Sequence, residues 1–205
     1  MSNAAIAAGG VFGLGVLWRG RAPFDQRQER QLFGLLFVAV LWTAAGSVYY
    51  HWHPNTFTLY WDRLPITVAL GLLLAITVAE RMGAAVAKRA AVPILLAGVG
   101  SVTYWIATEA AGQGDLTFYF AFQATCLGSL PLLWALFPPR YTRTGDYVLA
   151  LALYGVAIAF EQSDRAVFGW LGTGGHAIKH LFVGAAIAAL AAMLLRRRPI
   201  PPARG

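Results

Sequence analysis

The stretch Leu32–Tyr50, LFGLLFVAVLWTAAGSVYY, runs for 19 residues without a charged side chain. At 1.5 Å per residue a helix of that length reaches roughly 29 Å, the thickness of a bilayer's hydrocarbon core. A strand with one wet face would alternate apolar and polar residues, and this stretch does not. Backbone polar groups in lipid must be satisfied within the segment, which leaves a helix as its conformation.

Working outward, comparable runs occupy Ala4–Trp18, Leu64–Val78, Val92–Ala107, Phe118–Phe137, Tyr147–Phe160 and Gly175–Leu195. With Leu32–Tyr50 they predict a single all-α domain over residues 1–205, a seven-transmembrane helix bundle. The first, third and sixth runs are short. They call for interfacial anchoring by Trp18, Trp61 or Tyr147, or for local thinning of the bilayer. Composition agrees: of 205 residues 58% are hydrophobic and 12% charged, against about 25% charged in soluble domains. A soluble enzyme is excluded on these grounds. The lone cysteine, Cys126, provides neither a disulfide framework nor a cysteine metal site and reads as a small packing residue.

The formal net charge of +7 would suggest nucleic acid in a soluble chain, but the basic residues sit between the apolar runs, so no nucleic-acid partner is expected. Arg19, Arg21, Arg27 and Arg30 follow the first run, and Arg81, Lys88 and Arg89 the third. Arg140 and Arg143 follow the fifth, and Arg196, Arg197, Arg198 and Arg204 the seventh. Thirteen of the 16 basic residues therefore fall on one side, with Arg63 and Arg165 opposite and Lys179 early in the last run. The positive-inside rule puts the N-terminus outside and the C-terminus in the cytoplasm. The N-terminus carries no basic n-region, so the first run reads as a retained span. Gly20–Gln31 reads as a basic interfacial loop, and Arg196–Gly205 as a flexible tail against anionic headgroups.

This topology gathers three polar segments at the outer side. The second run ends in Ser47-Val-Tyr-Tyr-His51-Trp-His53-Pro54. The third is entered through Trp61-Asp62-Arg63-Leu64-Pro65. The seventh begins His176-Ala-Ile-Lys179-His180. His176 and His180, four residues apart, share one helix face. With His51 they make three imidazoles, the protein share of a catalytic zinc site that keeps its fourth position open. Asp62 can take a proton from a water and hand it to a leaving amine. Ser47, one turn before His51, can orient that water or donate to an oxyanion.

Plainer readings stand beside these. The histidines can bond backbone or lipid at the headgroup level, and Ser47 can be a small packing residue. Asp62 can pair with Arg63 or cap the third helix. His53 reads as an interfacial loop residue, Lys179 as a snorkelling side chain on another face than the histidines, and Glu109 and Glu161 as solvated carboxylates.

Ser47-x-x-x-His51, Asp62 and His176-x-x-x-His180, taken together, resemble the alkaline ceramidase family. That family belongs to a membrane hydrolase superfamily that also contains the progestin and adiponectin receptors. Gly46–Pro65, GSVYYHWHPNTFTLYWDRLP, looks like the bacterial ceramidase-like members. The resemblance implies Zn2+ held by His51, His176 and His180, assisted by Ser47 and Asp62. It implies hydrolysis of the N-acyl bond of a ceramide-like lipid to a fatty acid and a sphingoid base, at the extracytoplasmic side of a bacterial inner membrane. The family's eukaryotic members carry an acidic, calcium-binding N-terminal segment; Met1–Gly10 has no carboxylate, so no such site is expected. Three alternatives have different chemistry: hydrolysis of another lipid amide or ester, a zinc-stabilised receptor or sensor without turnover, and a bis-histidine haem protein. A transporter lacks the repeated broken-helix pair it would need.

Overall fold

Lipid offers a backbone no hydrogen-bonding partner, and this chain meets that condition with helices. The computed structural model describes residues 2–20 and 22–201. Among them it has α1 (Asn3–Trp18), α2 (Arg27–Trp52), α3 (Thr56–Met82), α4 (Ala84–Ala110), α5 (Thr117–Leu136), α6 (Thr144–Gln162), α7 (Asp164–Leu171) and α8 (Gly175–Arg196). Six of them, all but α1 and α7, are long and apolar enough to cross a membrane. Helix α1 is apolar but has only 16 residues. Leu35, Val38, Val92, Leu96, Leu132 and Leu136 are each more than half exposed. Apolar exposure on that scale is unstable in water and natural against acyl chains.

Several local expectations are corrected. The third span is not short: α3 starts at Thr56, well before its apolar run. Asn55 caps it by accepting from the Thr58 backbone N–H at 2.9 Å, and Thr58 Oγ1 accepts from the Asn55 N–H at 3.2 Å. This reciprocal cap satisfies two otherwise orphaned donors and places Asp62 inside the helix, not at its cap. The segment Gly20–Gln31 is a loop only in part, because α2 begins at Arg27 and Glu29 is fully buried. Tyr141 donates to Glu29 Oε2 at 2.5 Å, and Arg140 lies 3.5 Å from Glu29 Oε1.

The start of the tail is not free either. Arg197 is 2% exposed, and its Nε and Nη2 donate to the Pro23 carbonyl at 3.2 and 2.9 Å. Thr142 N–H donates to the Arg198 carbonyl at 2.9 Å and Ile200 N–H to the Arg140 carbonyl at 2.8 Å. Backbone carbonyls thus hold residues that charge alone would have sent to headgroups. Met1, Arg21 and residues 202–205, Arg204 with them, lie outside the described residues.

Helix α7 was not expected, because eight residues cannot form a span. Gly172, at φ +68°, ends it in the left-handed region open to glycine. Val167 is its buried residue, while Phe168, Trp170 and Leu171 are exposed.

The chain divides into two compact units. One contains α2 to α5, with α3 packed against α2, α4 and α5. Phe33, Phe37, Ala75, Ile76 and Ala79 are fully buried. Arg63 is half-buried in this unit: its guanidinium carbon lies 4.2 Å from the Trp105 ring centre and 5.6 Å from that of Tyr119. Stacking on aromatic faces offsets part of the cost of withdrawing that charge from water.

The other unit contains α1, α6, α7 and α8. There α1 lies close against α8: a Cβ on Gly184 would sit 2.6 Å from the Ala5 carbonyl oxygen, and one on Gly9 3.1 Å from Ile187 Cβ. Lipid tails are as apolar as leucine, so helices in a membrane associate through such close small-residue packing.

Candidate metal centre

The first turn of α8 is set by two glycines and one carboxylate. A Cβ on Gly175 would overlap the Phe160 carbonyl oxygen and come within 3.1 Å of Asp164 Cα. One on Gly174 would come within 2.8 Å of Asp164 Oδ1. Without side chains at those positions α8 starts directly against the end of α6, and Asp164 Oδ1 accepts from the His176 backbone N–H at 2.8 Å. A carboxylate at a helix N-terminus also suits the helix dipole.

His176 and His180 then project one turn apart, with ring centres 4.6 Å from each other. The His176 Nδ1 lies 3.2 Å from Glu161 Oε1, and the His180 Nδ1 lies 2.9 Å from Ser2 Oγ. Lys179 does not snorkel away: its ammonium pairs with Glu161 Oε2. Glu161, expected to be solvated, is engaged by both residues because α6 and α8 pack together there.

In the α2–α5 unit, Ser47 and His51 are both on α2, one turn apart. Ser47 is buried and His51 exposed. A Cβ on Gly46 would overlap the Trp61 carbonyl oxygen and lie 3.0 Å from Trp61 C and 3.3 Å from Asp62 Cα. Pro65, four residues after Trp61, has no N–H to offer that carbonyl, and the backbone of Gly46 approaches it. This crossing brings Ser47, on the residue after Gly46, to the level of half-buried Asp62. His53 lies beyond α2, exposed, and its carbonyl accepts from Thr58 Oγ1 at 2.6 Å and Asn55 Nδ2 at 3.0 Å. It is a loop residue, as expected.

His176 and His180 lie on α8 in one unit, and His51 lies on α2 in the other. Within their own unit, His176 and His180 offer two imidazoles of a metal site from one face of α8. Three neutral imidazoles are a donor set that zinc accepts. Glu161, Asp164 and Ser2 were missed as neighbours of His176 and His180. A carboxylate at the end of an apolar run was the one available signal for Glu161; nothing in sequence linked Ser2 to His180. No protein-family model, no curated protein and no solved structure matches this chain.

Proposed function

We propose that this chain is a zinc-dependent lipid amide hydrolase of the alkaline ceramidase kind, embedded in a membrane by seven spans that include the short α1. In this reading the N-terminus is outside, the C-terminus is cytoplasmic and the site faces the extracytoplasmic side of a bacterial inner membrane. The observation that carries the proposal is the pair His176 and His180 at the start of α8, ring centres 4.6 Å apart, with Glu161 and Ser2 bonded behind them. His51, His176 and His180 are also the three residues that the spacing of the sequence and its family resemblance imply as ligands.

The three imidazoles would hold the zinc. When bound, the metal supplies Lewis acidity, lowering the pKa of a coordinated water to about 7 and polarising a carbonyl oxygen. Asp62 serves as the proton carrier, accepting from the attacking water and delivering to the departing amine nitrogen. Ser47, whose hydroxyl sits in the buried face of α2, donates a hydrogen bond to the oxygen on which negative charge develops. The acyl chain of the substrate comes laterally from the bilayer, and the products are a fatty acid and a sphingoid base.

The test pairs metal analysis with lipid analysis. Purified parent protein should carry zinc and release free fatty acid from a ceramide panel, and a chelator should stop the release. His176→Ala should lose both. Equal zinc in His176→Ala and parent would refute the ligand assignment. Zinc binding without release from any ceramide, other lipid amide or ester would refute the hydrolase and leave a receptor or sensor.

A further inference from the structure

A metal-binding histidine has two nitrogens, and what the outer one bonds to decides which lone pair faces the metal. Glu161 Oε1 lies 3.2 Å from His176 Nδ1. An ionised carboxylate only accepts, so that nitrogen carries the proton and the lone pair of His176 is on Nε2. Ser2 Oγ, at 2.9 Å from His180 Nδ1, can accept in the same way. The two contacts come from different elements: Glu161 is on the last turn of α6, and Ser2 directly precedes α1. The first depends on the α6–α8 packing at Gly175, and the second on the α1–α8 packing at Gly184 and Gly9.

We propose that Glu161 and Ser2 are positioning residues for the metal, Glu161 through His176 and Ser2 through His180. Each presents the Nε2 of its histidine and fixes the ring's rotation; this inference rests on the metal-hydrolase reading above. Lys179 pairs with the second oxygen of Glu161 and keeps the carboxylate aligned along the α6–α8 seam. The plainer account treats the Glu161–Lys179 pair as a helix-to-helix staple with no bearing on metal. The two accounts differ in what a neutral acceptor in place of Glu161 achieves.

The experiment measures zinc affinity of the full chain in detergent by competition with a chelator, alongside thermal stability of the metal-free protein. Variants are Glu161→Gln, Glu161→Leu, Ser2→Ala and Lys179→Met. Losing the partner of a metal-bound histidine costs about 10- to 100-fold in affinity. Glu161→Leu should fall in that range and Ser2→Ala at its lower end, while Glu161→Gln, which keeps an acceptor oxygen, should recover most of the loss. Lys179→Met, which leaves the Glu161 acceptor in place but unaligned, should lower stability and cost less affinity than Glu161→Leu. Parental zinc affinity in both Glu161→Leu and Ser2→Ala would overturn the inference and leave the metal site standing. A parent that binds no zinc would overturn the metal reading itself. If Glu161→Leu does not fold, Ser2→Ala, a smaller change, decides the matter by the same measurement.

Discussion

Gly46→Ala tests the crossing of α2 and α3 at Gly46 and the Trp61–Asp62 backbone. The added methyl would overlap the Trp61 carbonyl oxygen and lie 3.0 Å from Trp61 C and 3.3 Å from Asp62 Cα, where ordinary contact begins at 3.4 Å. All three obstacles are backbone, so no rotamer change relieves them. Two effects oppose each other. Alanine in place of a helical glycine gains up to about 1 kcal/mol in propensity. Forcing a methyl into a filled space costs about 1–3 kcal/mol, and a backbone-to-backbone clash belongs at the upper end. The net expectation is a destabilisation of roughly 1–2 kcal/mol. Gly128→Ala is the control, since a Cβ there meets nothing within 4 Å, and it should keep the propensity gain. The two variants should therefore differ by about 2–3 kcal/mol, or roughly 4–12 °C in Tm for a chain of this length. Melting followed by circular dichroism in detergent measures this. Fatty-acid release should also drop in Gly46→Ala by about 100-fold, because a shift on the order of 1 Å at reacting groups has that effect. A Gly46→Ala protein that melts with Gly128→Ala would refute the reasoning, since it would mean that the helices do not touch at this glycine.

Other predictions address the remaining parts. In Gly175→Ala the methyl would overlap the Phe160 carbonyl, lifting the first turn of α8, so zinc retained after gel filtration should fall well below the parent's. Asp62→Asn should keep the fold and zinc content and lose about 10²- to 10⁴-fold in turnover; parental turnover would remove Asp62 from proton transfer. Tyr141→Phe takes a donor from fully buried Glu29 and should cost about 1–3 kcal/mol, seen as a lower Tm with zinc affinity unchanged.

The helices were legible because their cause is local. An uncharged run must satisfy its own backbone in lipid, so Leu32–Tyr50 and its counterparts each lie along a helix with no reference to neighbours. Helix ends were less legible. The start of α3 depends on the Asn55–Thr58 cap outside the apolar run, and α7 has too few residues to register as a hydropathy feature. Charged residues were read worst when taken one by one. Lys179, Glu161 and Arg197 were assigned to water or headgroups, yet each has a specific partner: the Glu161 carboxylate, the His176 ring and the Pro23 carbonyl.

The sequence by itself therefore determined the apolar helices and the pairing of His176 with His180 on one face, since both follow from spacing along a single helix. It also picked out His51, through the pattern it forms with Ser47, Asp62 and the later histidines. Only the tertiary structure decided what stands behind the candidate ligands. Ser2 and His180 are 178 residues apart, and Gly46 meets Trp61 because Pro65 leaves that carbonyl without its helical donor. Such contacts arise where glycines let two backbones approach, and the distance between two helices is not encoded in the period of either one.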